Sequence, residues 1–494
     1  MKKKIAIIGM GVSGLAVLLA FSHLSQEELA TLELVCFDDT QPFGRGIPFQ
    51  KDDTSALINS PIDDISFDYR HMDDFVKWLT ENKLDTNHPY VSRSLYGQYM
   101  SDRAETLMKK LPITRVYHKV DHVSYFPDSH EWQLVVNGQT FPDLFTEIHL
   151  ACGQLPVLDP YKLQGEPNYI ANPYPLKSLN LSLEEMARPV ISVIGTGLAA
   201  VDVIKWLLQK SSASIIAFSR SNYFPTVRII KGPSIKWQFF TEQFLDKVLK
   251  EVKPSFDLAQ FEKLFLGELQ SLGFSGWEQV EEQFLAVGIE GIQLSLNYPE
   301  QLYALQQLAS RVTDCFTDLW PLMPTADREA FQKTYGKAII NLRNPMPEES
   351  ARVLLKAVKE KRLTVAQNIS DIVSLEEDLV LKSEEKVETR VKTAINATGY
   401  HLVESNLQNA SSLLQNLIES KLCQIDTFGG LSILPETSQI LSPKYGVLPT
   451  LFAHGALING TIFQNNSTIK IQKMAERAIK NKKSLLIKSR KNSF

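Results

Sequence analysis

Cysteine is scarce in this sequence, and its spacing excludes two common kinds of site. The 494 residues include only Cys36, Cys152, Cys315 and Cys423, with no C-x-x-C pair and no Cys/His group at zinc spacing. A dithiol–disulfide site and a bound metal are therefore not expected. Cys36 and Cys152 lie in apolar, strand-like runs, where a thiol behaves as a small buried hydrophobe. Because structural disulfides are rare in reducing compartments, we predict a cytoplasmic protein.

A large excess of one charge sign is also missing. The chain has 52 basic and 56 acidic residues, a net charge of -4, which gives no reason to expect nucleic acid as a partner. Basic residues are nevertheless concentrated at the end, where residues 469–494 hold nine Lys or Arg and only Glu476 as an acid. This basic C-terminal tail is either a solvated final helix or a contact for an anionic partner or membrane surface.

No uninterrupted apolar run is long enough to predict a membrane span. Three lysines followed by the run Ile5–Phe21 mimic a signal peptide, but glycines interrupt the run and no small-x-small cleavage site follows it. Its seventeen residues are also marginal for crossing a bilayer. We therefore predict a buried strand, a turn and a helix, and no transmembrane segment.

The glycines in that run form a G-x-G-x-x-G pattern inside a strand–turn–helix–strand unit. Strand-like Lys4–Ile8 precedes it, a helical stretch from about Ser13 to Leu24 follows, and Leu32–Phe37 is the next strand. Such glycines permit a tight turn, close approach of a pyrophosphate, and helix–strand packing, while the helix N-terminus faces the phosphates. Asp38, 24 residues after the last glycine, is expected to bind ribose hydroxyls, with Asp39 beside it.

This first pattern predicts a cofactor with free ribose hydroxyls, which is FAD or NAD. The residues predicted to bind it are Gly9, Gly11, Ser13, Gly14 and Asp38.

A second pattern, Gly195–Ala200, differs at its ribose end. It lies between strand-like Val190–Ile194 and a helical stretch from Leu198 to Gln209, and the next strand ends at Ser219-Arg220 instead of an acid. A hydroxyl and a guanidinium favour a 2′-phosphate, which a carboxylate would repel. This pattern therefore predicts NADP, and the residues predicted to bind it are Gly195, Gly197, Ala200, Ser219 and Arg220.

The remaining patterns predict an α/β fold with two Rossmann-like, three-layer dinucleotide-binding domains. Alternating residues in Arg115–Val136 indicate an antiparallel meander, and Val391–Asn396 is a further buried strand. Helical spacing without strand character indicates a helical insertion at about 234–345. We expect residues 1–185 and 391–494 to bind the first cofactor, and residues 186–390, with the insertion, to bind the second.

Further motifs make the chain resemble a known protein class. Together with the two glycine patterns they are Gly44–Phe49, Leu57–Pro61, Phe75–Leu79, Ser92–Tyr99, Ala397–Tyr400 and Leu451–Gly455. The chain resembles bacterial FAD/NAD(P)-binding flavoproteins, which are related to flavin-containing and N-hydroxylating monooxygenases. Ser92 and Met100 replace the usual proline and leucine. Residues 163–173 lack the histidine and tryptophan of the Baeyer–Villiger motif, so that subclass is not expected.

The resemblance implies further FAD-lining residues. By that similarity, FAD would be lined by Gly46, Asn59, Gly153, Gly399, Gly460 and Thr461. Catalytic side chains are not identified by any motif. His454, near the implied flavin, is one candidate, and its alternative is a core histidine. Arg343 is another candidate, for holding an anionic substrate group, and its alternative is a structural ion pair.

The functional expectation is an NADPH-dependent FAD oxidoreductase, a monooxygenase or N-hydroxylase that acts on a small molecule. An NAD(P)H oxidase or electron-transfer reductase, and a non-catalytic protein that senses FAD or nucleotides, remain open as alternatives. The helical insertion is a lid over the substrate, simple packing, or a contact in a homo-oligomer. In this chemistry the flavin activates oxygen, and the protein binds, orients and excludes water.

Overall fold

The computed structural model describes residues 2–179, 181, 189–385 and 387–491, with the backbone alone for residues 482–491. The chain forms two compact units. The first unit comprises Met1–Lys51, Ser60–Pro156 and Tyr400–Phe494, and the second comprises Asp52–Asn59 and Val157–Gly399. Residues 52–59, 157–179, 181 and 391–399, which we assigned from the sequence to the first domain, thus lie in the second unit. Residues 180 and 182–185, assigned with them, lie outside the described residues.

The elements follow one another along the chain in three groups. The first group is β1 (Lys3–Ile8), α1 (Val12–Ser22), α2 (Gln26–Ala30), β2 (Leu32–Phe37), α3 (Asp74–Glu81), α4 (Arg93–Met108), β3 (Ile113–Val116), β4 (Val120–Phe126), β5 (Glu131–Val136), β6 (Gln139–Phe145) and β7 (Glu147–Leu150). The second is β8 (Tyr169–Ile170), β9 (Val190–Ile194), α5 (Leu198–Lys210), β10 (Ser214–Phe218), α6 (Glu242–Leu249), α7 (Leu258–Ser271), α8 (Trp277–Phe284), α9 (Ile289–Asn297), α10 (Pro299–Leu319), α11 (Thr325–Phe331), α12 (Lys337–Arg343), α13 (Glu348–Lys359), β11 (Leu363–Val365), β12 (Ile369–Leu375), β13 (Asp378–Ser383), β14 (Glu388–Val391) and β15 (Thr393–Asn396). The third is α14 (Ser412–Glu419), β16 (Ile433–Leu434), β17 (Gln439–Ser442), β18 (Gly446–Ala453) and α15 (Thr468–Lys491).

The first unit is built on a sheet with the strand order β16-β17-β18-β7-β1-β2-β3, parallel from β18 to β3. Its central strands are almost continuously apolar because both faces are covered. On one face the antiparallel meander β4–β6 packs Trp132 and Phe145 against Phe37. On the other face Phe21 of α1 contacts His149 of β7 edge to face, and α1 packs along α15.

Two sequence-based assignments in this unit are confirmed by its elements. The run Ile5–Phe21 forms β1 and α1 around the glycine turn. The meander exists, but it spans Val120–Phe145, because Arg115 belongs to β3 of the parallel sheet. The β5–β6 hairpin turns at Asn137-Gly138, both with positive φ, as the favoured two-residue turn requires.

The second unit repeats the same three layers with other elements. Its parallel sheet has the order β11-β10-β9-β15-β8. Helices α5 and α13 pack on one face through a core that includes Ile204 and Leu354. The antiparallel sheet β12–β14 covers the other face through Leu379 and Leu381. The predicted α/β fold with two Rossmann-like domains is confirmed.

The predicted helical insertion is present in the second unit. It follows β10 and consists of α6–α12. Its core is strongly aromatic, with Phe261, Phe316 and Phe331 in mutual ring contact. Among the described residues, no helix combines the length and the apolar character needed to cross a membrane.

Candidate functional site

The first cradle, which we define as the loop Gly9–Gly14 with the turn Gly44–Gly46, is shaped by missing side chains. A Cβ on Gly9 would lie 2.7 Å from the main chain of Ala151, and one on Gly14 would lie 2.0 Å from the carbonyl oxygen of Gly9. Neither distance is possible for a real Cβ, so β7 and α1 approach this loop only because glycine is present. Both residues therefore have the roles that the sequence pattern assigns to them.

Gly11 and Gly46 leave the middle of the first cradle open. A Cβ on either residue would lie 3.1 Å from the Cα of the other. The main chain is tied together here by a hydrogen bond from the Gly44 amide to the Met10 carbonyl, at 2.8 Å. A larger residue at either position would fill the space above the loop, where a pyrophosphate is expected to approach the backbone.

Helix α1 begins at the first cradle with no capping side chain. Its N-cap is Gly11, and no acidic residue lies in its first turn. Its first-turn amides therefore remain available to an anion, and the helix dipole favours negative charge there. Ser13, in that first turn, lies against Gly455, where a Cβ would come within 1.9 Å of the Ser13 hydroxyl. The first cradle thus fits a dinucleotide diphosphate.

Asp38 is joined to the first cradle directly. One carboxylate oxygen accepts from the Met10 amide at 2.6 Å, and the other accepts from the Thr40 amide at 2.8 Å. Each oxygen retains a lone pair for a ribose hydroxyl. The neighbouring Asp39 forms an ion pair with Lys119 at 3.2 Å instead. The geometry therefore favours Asp38 over Asp39 as the ribose ligand.

Three of the motifs behind the resemblance pack against one another beside the first cradle. Phe49 contacts Tyr96 with ring centroids 4.8 Å apart, and Tyr96 contacts Phe75 of α3 at 5.0 Å. A Cβ on Gly97 would lie 1.9 Å from the Phe49 carbonyl oxygen. Trp78 closes the cluster against Tyr99. These motifs support the turn that carries Gly44 and Gly46, so their role in the described structure is packing.

The second cradle, which we define as the loop Gly195–Ala200, resembles the first at its turn and at its helix start. A Cβ on Gly195 would lie 2.7 Å from the Ala397 carbonyl oxygen, just as Gly9 meets Ala151. Gly197 has open space around it and, like Gly11, is the uncapped N-cap of its helix, α5. Ala200 is buried in the core beneath α5, which explains why a methyl group is tolerated there.

Ser219 is placed at the ribose end of the second cradle, but its hydroxyl has partners of its own. It lies 2.8 Å from the Thr196 hydroxyl and accepts from the Asn222 amide at 2.9 Å. The Asn222 side chain in turn accepts from the Ser219 amide at 2.6 Å. Ser219 therefore shapes the turn that presents Arg220, which is itself exposed.

Lys337 is a second cation at this ribose end, and the sequence offered no signal for it. It begins α12, and Asn341 one turn further on accepts from the amide and hydroxyl of Thr226, in the segment that follows Arg220. Lys337 has an exposed surface, but the protein packed around its base, and after that the positive charge of Arg220, lowers the pKa of Lys337. Within the described part of the chain, neither cation has an anionic partner. This arrangement suits a dianionic phosphate.

Two of the residues implied by the resemblance occupy equivalent places in the two units. Gly153 follows β7 directly after Ala151-Cys152, beside the first cradle, and Gly399 follows β15 after Ala397-Thr398, beside the second cradle. Neither has a neighbour within 4 Å of an added Cβ. Asn59 is the last residue of a second-unit segment. The assignment of Gly399 and Asn59 to FAD therefore stays a prediction.

Gly460 and Thr461 have evident structural partners. A Cβ on Gly460 would lie 2.0 Å from the Gly429 carbonyl oxygen. The Thr461 hydroxyl donates to Asp426 at 3.0 Å and accepts from the Ile433 amide at 3.4 Å. Both residues thus hold the loop before β16 in place, and their contact with FAD likewise stays a prediction.

His454 is the end of a buried chain of titratable groups in the first unit. Its Nε2 lies 2.9 Å from His149 Nδ1, and His149 Nε2 lies 2.8 Å from a Glu147 carboxylate oxygen. The Nδ1 atom of His454 is buried without a hydrogen-bond partner among the described residues. Sequence reasoning missed Glu147 and His149; the available signal was two polar residues at alternate positions of the apolar strand β7.

Both imidazoles of this chain are neutral near pH 7. Burial lowers the pKa of His149 to about 3. Burial, with the neighbouring His149, lowers the pKa of His454 well below its usual value. His454 directly precedes Gly455, which lies against Ser13 of the first cradle. The catalytic assignment of His454 stays a prediction.

Arg343 ends α12 and donates from Nη1 to the Asn344 side chain at 3.2 Å. It lies in the helical insertion, two residues beyond Asn341. Its assignment to an anionic substrate group stays a prediction.

The cysteine thiols are unsuited to redox chemistry. All four cysteines are free, and burial raises the pKa of Cys36, Cys152 and Cys315 to about 12 and that of Cys423 further. A thiol with so high a pKa is not a nucleophile at neutral pH.

Comparison with known proteins identifies the class to which this fold belongs. Residues 6–155 match the family model described as FAD-NAD(P)-binding, and these residues include the first cradle. No curated protein matches the chain at a significant level.

Solved structures match nearly the whole chain at low identity. An ornithine N-hydroxylase of Kutzneria sp. 744, solved with reduced FAD, NADP+ and L-ornithine, aligns with a TM-score of 0.57 at 12% identity, covering 98% of this chain and 99% of that chain. A cadaverine monooxygenase of Erwinia amylovora bound to FAD gives 0.58 at 13%, covering 98% and 94%. The L-lysine 6-monooxygenase of Pseudomonas syringae gives 0.56 at 13%, covering 98% and 99%. The chain therefore has the fold of flavin monooxygenases with two dinucleotide-binding domains. This confirms, at the level of fold, the resemblance that the sequence motifs indicated.

Proposed function

We propose that this protein is an NADPH-dependent FAD monooxygenase that hydroxylates a nitrogen atom of a small molecule. The observation that carries the proposal is the pair of glycine cradles with unequal ribose ends, set in a fold shared with N-hydroxylating monooxygenases. The first ends on a carboxylate, which suits FAD; the second ends on two cations, which suit the 2′-phosphate of NADP. Electrons would pass from NADPH to FAD.

The residues of the chain bind and orient the cofactors. In the first unit, the glycines of the first cradle admit the FAD diphosphate to the first-turn amides of α1, and Asp38 accepts ribose hydroxyls. In the second unit, Gly197 leaves room for the NADP diphosphate, while Arg220 and Lys337 bind the 2′-phosphate. When bound, the flavin supplies hydride acceptance and oxygen activation.

We infer the substrate class from solved structures with the same fold, and the state of the cysteine thiols disfavours disulfides as substrates. Disulfide substrates are disfavoured because the raised pKa of each cysteine thiol keeps it protonated at neutral pH. The relatives with the same fold act on ornithine, cadaverine and lysine, all of which carry a primary amine. A primary amine of a small molecule is therefore the proposed acceptor of oxygen.

The proposal is tested by measuring NADPH oxidation, hydrogen peroxide and hydroxylamine product with purified, FAD-loaded protein. L-Ornithine, L-lysine and cadaverine serve as first probes, and amino acids without a side-chain amine serve as controls. The expected result is an amine that raises hydroxylamine and lowers peroxide for each NADPH consumed. Peroxide as the only product with every amine would indicate an oxidase. Bound FAD without NADPH turnover would indicate a sensing protein, and a purified protein that cannot bind FAD would overturn all three readings.

A further inference from the structure

Arg45 lies between the two glycines of the turn in the first cradle. The Gly44 amide donates to the Met10 carbonyl at 2.8 Å, and Gly46 faces Gly11 so closely that a Cβ on either would lie 3.1 Å from the other's Cα. The main chain on both sides of Arg45 is therefore in contact with the loop that is expected to receive a diphosphate.

The Arg45 side chain is buried with little compensation for its charge. Its residue exposure is 9%, its Nη1 donates to the Ser94 carbonyl at 3.2 Å, and its Nε is buried without a hydrogen-bond partner among the described residues. Burial lowers the pKa of Arg45, while the charge of Asp102 raises it. The Asp102 carboxylate accepts from the Trp78 indole at 3.1 Å and makes no direct ion pair with Arg45. A buried cation in this condition is costly unless an anion joins it.

The neighbouring helix end makes the position of Arg45 still less favourable. Ser94 lies in the first turn of α4, whose N-cap is Ser92 and whose first turn holds no acidic residue. The amino-terminal end of a helix carries partial positive charge, so a guanidinium beside it is repelled. The uncapped amino-terminal end of α1 at Gly11 adds positive potential on the other side of the same turn. All of these features point to an anion that completes the site.

We propose that Arg45 is the positive contact for the diphosphate of the dinucleotide bound in the first cradle. The inference rests on the proposed function, because FAD is the ligand expected there, and it adds a charged side chain to a site otherwise made of backbone amides.

The experiment compares Arg45→Met, Arg45→Lys and a control, Lys110→Met, in the intact protein with and without FAD. Lys110 is exposed beyond the end of α4 and also loses one positive charge when replaced. Thermal unfolding of the flavin-free protein is measured first, followed by the gain in unfolding temperature on adding FAD, and by FAD and ADP affinity at two salt concentrations.

For Arg45→Met we expect the flavin-free protein to unfold at the same temperature as the wild type or at a higher one. The reason is that the substitution removes a buried positive charge that has no anionic partner. We expect FAD to raise the unfolding temperature of this variant by less than it raises that of the wild type. FAD and ADP should also bind roughly 10- to 100-fold more weakly, which is the usual cost of losing one charge-assisted hydrogen bond. The salt dependence of binding should also become shallower. Arg45→Lys should retain most of the increase in unfolding temperature that FAD produces, and Lys110→Met should behave as wild type.

Two results would overturn the inference. One is an Arg45→Met protein that is destabilised or unfolded without flavin, since that outcome identifies Arg45 as a structural arginine. The other is an Arg45→Met protein that FAD stabilises as much as it stabilises the wild type and that binds ADP with unchanged affinity. Failure of the proposed function looks different, because the wild type itself would then neither bind FAD nor be stabilised by it.

Discussion

Arg220 and Lys337 place two positive charges at the ribose end of the second cradle. They are 117 positions apart in the sequence, yet after burial the charge of Arg220 is a further cause that lowers the pKa of Lys337. A 2′-phosphate would relieve this repulsion, whereas the free hydroxyl of NADH would not. The sequence assigned specificity for NADPH over NADH to Arg220 alone. Lys337 adds a residue of the helical insertion to that specificity.

At this scale we predict that Arg220→Ala and Lys337→Ala each weaken NADPH binding by roughly 10- to 100-fold and leave NADH binding almost unchanged, because a charge-assisted contact to phosphate is lost. The measurement is cofactor titration of the FAD-loaded protein. Lys333→Ala is the matched control, since Lys333 is exposed one turn before Lys337. Equal weakening of NADPH and NADH would refute the assignment.

At the residue scale, two of the residues expected at the cofactor sites also have partners within the protein. Ser219 is placed at the ribose end, but its hydroxyl is engaged by Thr196 and Asn222. Thr461, expected beside FAD, is hydrogen-bonded to Asp426. A motif identifies the position of a polar residue, whereas its partners depend on loops that fold over it from elsewhere in the chain.

At the scale of elements, Glu268 anchors the irregular segment before α6 to helix α7. Its fully buried carboxylate accepts from the amides of Gln238, Phe239 and Phe240 at 2.8–3.0 Å. A carboxylate that accepts several amide hydrogens is well compensated in the interior. This single side chain therefore decides the path of the chain into the helical insertion.

We predict that Glu268→Gln lowers the free energy of unfolding of the protein by about 2–4 kcal/mol, because an amide group carries less charge and places its own donors against these amides. Chemical denaturation followed by tryptophan fluorescence measures the effect. Glu282→Gln, on the exposed side of α8, should change stability by less than about 0.5 kcal/mol. Equal stability of the two variants would show that Glu268 is dispensable.

At the scale of the whole molecule, the first unit holds two kinds of titratable group, an ionised carboxylate and neutral imidazoles. Glu476 on α15 forms an ion pair with Arg70 at 2.6 Å and accepts from the Tyr69 hydroxyl at 2.7 Å. Burial opposes ionisation, but hydrogen bonds from Lys480 and Tyr69 and the charge of Arg70 lower the pKa of Glu476 to about 2. His149 and His454 are the neutral, buried imidazoles.

From the shifted pKa values of these groups we predict that acid lowers the free energy of unfolding in two separate pH ranges. Below the unfolded histidine pKa of 6.5, only the unfolded chain binds the protons, so stability falls by about 1.4 kcal/mol per pH unit for each imidazole. Between the unfolded value of 4.5 and about 2, the stability that ionised Glu476 contributes is lost as well. The urea midpoint of unfolding, measured from pH 7.5 down, checks both.

Matched variants separate the two windows. His454→Gln should make the midpoint less dependent on pH between about 6.5 and 4.5, and Glu476→Gln should do so only below about 4.5. The slope is the readout, because both substitutions also change stability at neutral pH. A His454→Gln slope equal to wild type would mean that this imidazole titrates normally.

The basic C-terminal tail is partly accounted for at the same scale. Lys473 lies 5.7 Å from the ring of Tyr69, and Lys480 pairs with Glu476. The Lys470 ammonium donates to the Phe463 carbonyl at 2.6 Å. These basic residues belong to the packing of α15, and the partner of the remaining tail stays a prediction.

The two cradles could be predicted from the sequence because the constraint on each glycine is local: a turn, a helix start and a strand end lie within a few residues of it. Asp38 and Arg220 could be placed by the same reasoning, since each directly follows a predicted strand. The helical insertion was also recognisable from its spacing. These features depend on contacts between near neighbours in the chain.

Which distant side chains lie near these cradles could be seen from the folded chain alone. His149 and His454 are 305 residues apart, and Arg45 meets Ser94 across 49 residues. The charge of Arg220 acts on Lys337 because α12 is held on the segment after β10. Such pairs depend on how whole helices and strands pack, and the periodicity of one element contains no information about the element that will lie against it.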